Sequence, residues 1–129
     1  MKSFNDLVQL ALPILMEIPK PRHIAIEEVR QCRDYGDAVR LCMRKRLRRL
    51  NEGEIASYLG FSAPHLTKVK NGKGYMTSDQ ELILQHLCSN WAISQYAEMR
   101  KSQLAEMIET PAEKIARLEA ELQKYRVAA

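Results

Sequence analysis

The chain has 129 residues, with 20 Lys and Arg against 16 Asp and Glu, 46% hydrophobic residues and a formal net charge of +4. That length holds one ordinary core plus a short appendage and excludes two full domains, while the composition excludes wholesale disorder. No apolar run is long enough to span a bilayer, no strand-length alternation occurs, and three cysteines without paired spacings suggest neither a disulfide framework nor zinc, so an all-α protein with no membrane, metal or cofactor is expected.

Residues 1–22 read as an apolar helix followed by a Pro-containing linker. Leu7, Val8, Leu10, Ala11, Ile14 and Leu15 recur at helical spacing and stop before Pro19-Lys-Pro21. Asn5, Asp6, Gln9 and Glu17 interrupt the run and no small-x-small site follows, so no signal peptide is expected. Ile24, Ile26 and Val29 fit a strand or a helix equally well. A helix containing Ala38, Leu41, Cys42 and Leu47 is expected next, and its end carries the dense basic run Arg44, Lys45, Arg46, Arg48 and Arg49.

Charge is unevenly shared. Residues 1–29 carry three Lys and Arg against four Asp and Glu, residues 30–75 carry eleven against four, and residues 76–129 carry six against eight. The central excess of +7 suits a polyanion, because Lys and Arg contacts to phosphates supply most non-specific nucleic-acid affinity. A basic run on a helix is also an ordinary solvated face with cations near a helix C-terminus. Its position directly before the next motif favours the nucleic-acid reading.

From Glu52 to Asn71 two helices and a tight turn are expected. Ile55, Ala56 and Leu59 form one apolar stripe, and Leu66 and Val69 form a second. Gly60 can end the first helix in a left-handed conformation, Phe61 fills the space under the turn, Ser62 caps the second helix, and Pro64 falls in its first turn. Any helical hairpin would accept some of these features. In combination the segment resembles the helix-turn-helix of the lambda-repressor-like (XRE/Cro) family of DNA-binding regulators. The string Tyr35-Gly-Asp-Ala-Val-Arg-Leu-Cys42, with Ser89-Asn-Trp91, resembles phage and prophage members of that family. The resemblance covers about residues 35–96 and implies a helix-turn-helix bundle within a domain of residues 23–96. Asn71-Gly-Lys-Gly74 is then a turn, and Ser78-Asp-Gln-Glu81 a capping box opening a helix with Leu82, Ile83, Leu87 and Cys88.

In that geometry the start of the second helix enters the major groove, which assigns base contacts to Ser62, Ala63, Pro64, His65, Thr67 and Lys68. Lys68 suits guanine, and Ala63 or the Thr67 methyl suits a thymine methyl; His65 is equally well read as a solvated surface residue. Phosphate contacts fall to Arg44, Lys45, Arg48, Arg49, Lys70, Asn71 and Lys73. Two departures from the family stand out: Glu52 is acidic where members often carry Gln, and the early recognition helix has no Arg, Gln or Asn, which moves part of the specificity to DNA shape. Trp91 is expected in the core.

Residues 97–129 read as a helical oligomerisation segment. Thr110-Pro-Ala-Glu113 opens a helix, and Ile115, Leu118, Leu122 and Tyr125 are spaced 3, 4 and 3, as a and d positions of two heptads. Leu104 and Ile108 continue the rhythm upstream if Pro111 only kinks one long helix. The stripe either packs back on its own domain or pairs with another copy; a dimer doubles the contacts on an inverted-repeat operator. No phosphate-binding glycine loop, nucleophile elbow, HExxH or acid–base pair is present, so no enzyme is expected. The expected function is a double-stranded DNA-binding transcriptional regulator acting as a homo-oligomer in the bacterial cytoplasm at the nucleoid. The alternative is a phage-encoded adaptor that uses the same helices to bind a host protein.

Overall fold

A computed structural model describes residues 3–128. Among them the chain forms eight helices and no strand: α1 (Phe4–Leu15), α2 (Ile26–Arg30), α3 (Tyr35–Arg44), α4 (Glu52–Leu59), α5 (Ala63–Lys70), α6 (Ser78–Leu87), α7 (Ala92–Ile108) and α8 (Pro111–Ala128). The protein is therefore all-α, as the periodicity implies. Contacts divide it into a first unit, residues 1–97, and a second, residues 98–129.

In the first unit α1 packs on α4 and α6, α4 on α5 and α6, α3 on α5, and α2 on α3. Leu41, Ile55, Leu59, Leu66, Leu84 and Leu87 are fully buried where these faces meet. Each such burial contributes roughly 1.5–3 kcal/mol, which sets the register of the helices against one another. The N-terminal helix joins this core through Leu7 and Ala11. The ambiguous stretch that follows splits in two. Ile26–Arg30 is helical, whereas Ile24 is buried in an extended segment beside an isolated bridge between Arg22 and Asn90.

Buried and half-buried polar side chains tie that segment to the α6–α7 junction. Ser89, at φ +57°, donates its hydroxyl to the Pro19 carbonyl at 2.8 Å. The Gln95 amide accepts from Ile24 N–H at 2.7 Å and donates to the Ile24 carbonyl at 2.8 Å. Asn90, fully buried, donates to the carbonyls of Cys42 (2.9 Å) and Cys88 (3.0 Å) and accepts from Ala92 N–H (3.1 Å). One amide thereby satisfies three backbone groups from the ends of three helices, where intrahelical partners run out.

Two sequence-based boundaries shift, and two side chains differ in burial. The helix expected to run through Leu47 ends at Arg44; Leu47 is 51% exposed, and Leu50 takes the buried apolar position instead. The capping box of α6 is set one residue earlier, on Thr77 and Gln80, because the Thr77 hydroxyl reaches Gln80 N–H and the Gln80 amide reaches back to Thr77 N–H. Leu82, expected in that helix's apolar stripe, is exposed, and Leu84 is buried in the core. Trp91, expected in the core, is half-buried with its ring edge-on to His86 at 5.2 Å.

In the second unit α7 stops at Ile108 and α8 starts at Pro111, so Pro111 opens a new helix and does not kink a continuous one. Proline at the first helical position needs no N–H there, and the Thr110 hydroxyl accepts from Glu113 N–H at 3.2 Å.

Candidate nucleic-acid interface

The α4–α5 pair is built from local devices. Asn51 caps α4 by accepting from Glu54 N–H at 2.8 Å, and the Glu54 carboxylate accepts from Asn51 N–H at 3.3 Å. At the far end Gly60 adopts φ +74°; its N–H bonds to the Ser57 carbonyl and the Phe61 N–H to the Ala56 carbonyl. This is the Schellman arrangement, which requires a left-handed residue and so favours glycine. The Ser62 hydroxyl then accepts from His65 N–H at 3.2 Å and starts α5. Leu66 and Val69 are buried on one side of α5, which leaves Ser62, Ala63, Pro64, Thr67 and Lys68 exposed on the other.

His65 differs from those five. It is half-buried and lies edge-on to Phe61, with ring centroids 4.4 Å apart, so the ring that closes the turn also holds the imidazole. The Thr67 hydroxyl donates to the Ala63 carbonyl at 3.2 Å, an in-helix bond that leaves its methyl as the group free to meet a partner.

The C-terminal end of α5 is held by α3 and α4. Lys70 is ion-paired with Glu52, so the acidic residue standing at the start of α4 ties the two helices together. Arg40 donates to the Lys70 carbonyl and to Asp37. Gly36 approaches the same turn so closely that a Cβ there would lie 2.7 Å from the Lys70 carbonyl oxygen and 2.8 Å from the Gly72 nitrogen. The Asp37 carboxyl sits at about 2, below its ordinary value, chiefly because it accepts from the Arg33 backbone N–H, and also from Arg40 and Arg33 side chains. Nearby, burial pushes the Tyr35 hydroxyl well above its usual range, reinforced by its 2.5 Å hydrogen bond to Glu81.

The cations of the basic centre fall into two groups. Lys45 pairs with Glu28 at 2.7 Å, Arg48 with Glu17 at 3.1 Å, and Lys70 with Glu52. Arg46, half-buried, donates to the Met43 carbonyl at 2.6 Å. Arg44, Arg49, Lys68 and Lys73 are exposed and make no ion pair among the described residues, and Asn71 is exposed beside them in sequence. An anion meeting Lys45, Arg48 or Lys70 must displace a carboxylate, whereas one meeting Arg44, Arg49, Lys68 or Lys73 displaces only water and counterions.

Sequence reasoning missed the residues that support this surface: Arg22, Gly36, Arg40 and Asn90. Arg22 donates to the carbonyls of Ser89 (2.7 Å) and Lys45 (3.2 Å), which closes the end of α3 from far along the chain. Gly36 and Arg40 lie in the Tyr35–Cys42 string and Asn90 in Ser89-Asn-Trp91, but only Gly36 carried a physical sign of its role, as a glycine inside a helix.

Leu104, Ile108, Ile115, Leu118, Leu122 and Tyr125 are all exposed, by 42–76%. Among the described residues no group of three or more His, Cys, Asp or Glu is placed to hold a metal ion, and no helix is long and apolar enough to cross a membrane. No family model, characterised protein or solved structure matches the chain.

Proposed function

We propose that the protein is a sequence-specific double-stranded DNA-binding regulator in which α5 enters the major groove, acting as a homodimer in the bacterial cytoplasm. The reading is carried by one observation: Leu66 and Val69 anchor α5 to the core while Ser62, Ala63 and Pro64 at its capped start, and Thr67 and Lys68 further along it, stand exposed. A rigid helix that presents short side chains lets a backbone approach base edges closely. The excess of seven positive charges in residues 30–75 supplies the attraction to phosphate. Of the cations assigned to DNA contact, Arg44, Arg49, Lys68 and Lys73 are available without breaking an ion pair among the described residues.

The roles divide accordingly. Thr67 and Ala63 meet thymine methyls, Lys68 a guanine edge, and Lys73 and Arg49 phosphates. Thr67→Ala is expected to change sequence preference. Lys73→Ala is expected to weaken binding to all sequences alike and to lower the salt slope by about one. Equal losses on specific and random duplexes for both variants would remove this division.

The test of the whole reading is selection of bound fragments from random duplex DNA. Enrichment of an inverted repeat is expected. No enrichment, together with salt-insensitive capture of a host protein, would establish the adaptor reading in its place.

A further inference from the structure

We propose that α8 pairs with α8 of a second copy of this chain in parallel and in register, so that both chains enter the pair from the same end. The inference rests on the self-association just proposed and is independent of DNA binding.

The apolar seam is Ile115, Leu118, Leu122 and Tyr125, at a, d, a and d. All four are exposed, and along Pro111–Val127 the only residue less than exposed is Arg117. A seam of this spacing is buried when a second helix offers the same one.

The residues flanking the seam select the occupant and its direction. With Ile115 at a, Lys114 and Glu121 are at g, and Glu119 and Arg126 are at e. In a parallel pair each g residue faces the e residue five positions on in the other chain. Lys114 then meets the second copy's Glu119, and Glu121 meets the second copy's Arg126. Both combinations are opposite in charge, and two-fold symmetry makes each occur twice.

The antiparallel alternative stacks Ile115 on Tyr125 and Leu118 on Leu122. It sets g against g and e against e, so that Glu121 faces Glu121 and Glu119 faces Glu119, and the four attractions become two repulsions. Within its own chain Glu121 has only a 3.5 Å contact with Arg117, which is held more closely by Glu109 at 2.8 Å. Lys114, Glu119 and Arg126 make no ion pair among the described residues.

Two heptads form a weak pair by themselves. The dimer is therefore concentration-dependent, and strengthens when two neighbouring sites hold both copies at high effective concentration. Direction matters for that purpose. The 18-residue helix is about 27 Å long at 1.5 Å per residue, and an antiparallel pair would launch the two first units from opposite ends of it.

Sedimentation velocity of the full chain over a range of concentrations measures the dimer, and exposed charge changes probe its direction without disturbing a core. Lys114→Glu is expected to weaken dimerisation about five- to thirty-fold, by turning two attractions into repulsions. Adding Glu119→Lys restores it. In an antiparallel pair Lys114→Glu would have little effect and the double variant would show no rescue.

Leu118→Cys provides a second readout in a glutathione buffer, because the three native cysteines are buried. A parallel pair cross-links Leu118→Cys to itself. Cross-linking only when Leu118→Cys is mixed with Leu122→Cys overturns the direction alone. A full chain that stays monomeric at every concentration overturns the pairing altogether, and leaves DNA selection to decide the regulator reading separately.

Discussion

Both units are built from helices and are held in opposite ways. Every buried hydrophobic residue among those described lies between Leu7 and Ile93, whereas Leu104, Met107, Ile108, Ile115, Leu118, Leu122, Tyr125 and Val127 are all exposed. The first unit's helices are short, from five to twelve residues for α1 to α6, and are stabilised by burying one face against another. α8, with 18 residues, depends on local devices: Pro111 at its first position, the Thr110 cap, and the Arg117–Glu121 contact one turn apart. Such devices contribute tenths of a kcal/mol to about 1 kcal/mol each. Similar periodicity thus describes a core in one place and an exposed apolar stripe in the other.

The largest expected effect tests that contrast directly. Leu66→Ala removes a fully buried side chain from the α5 seam and is expected to cost about 2–5 kcal/mol in urea denaturation. Leu122→Ala, at 56% exposed, is expected to change the unfolding of a dilute, monomeric sample by less than about 0.5 kcal/mol. It should instead raise the concentration needed to dimerise. Equal losses of stability would mean that the α8 seam is already covered within its own chain.

A smaller effect sharpens the description of the first unit. Gly36→Ala pushes a methyl against the Lys70 carbonyl and the Gly72 nitrogen, both backbone atoms that cannot rotate aside. The expected cost is about 1–3 kcal/mol, the range for overpacking. Because the displaced turn ends α5, DNA affinity should fall further than stability alone accounts for. An unchanged melting temperature with unchanged DNA binding would show that α3 does not fix the end of α5.

Much of this was legible from the sequence where the cause is local. Gly60, Ser62 and the stripes of Ile55, Leu59, Leu66 and Val69 determine the α4–turn–α5 pair through caps and spacing within twenty residues. Thr110 and Pro111 mark the start of α8 in the same way. What could not be read has its cause far along the chain. The end of α3 is set in part by Arg22, whose guanidinium takes the Lys45 and Ser89 carbonyls, so periodicity alone carried that helix on to Leu47. Asn90 reads as a loop residue until Cys42 is brought to it. At the candidate interface, the exposed start of α5 follows from its stripe. The pairing of Lys45, Arg48 and Lys70 with Glu28, Glu17 and Glu52 depends on tertiary neighbours and is invisible in a count of charges.

The smallest expected effect concerns acid. Asp37 in the first unit and Glu109 in the second are both held below their ordinary values, the first chiefly by the Arg33 backbone N–H and the second chiefly by the Arg117 guanidinium. A carboxyl depressed by folding adds stability that is complete above its unfolded value and is lost as pH falls through its folded value. For Asp37 the loss therefore runs from about 3.8 down to about 2. Asp37→Asn should lower the urea midpoint slightly at neutral pH, and the difference from the parent chain should shrink across that window. Glu109→Gln should leave the midpoint unchanged at every pH, because Glu109 and Arg117 lie in a stretch beyond Ile93 that has no buried hydrophobic side chain among the described residues. A Glu109 variant that follows the Asp37 pattern would show that the second unit unfolds together with the first, and would remove the contrast between a packed core and a helix whose apolar stripe is exposed.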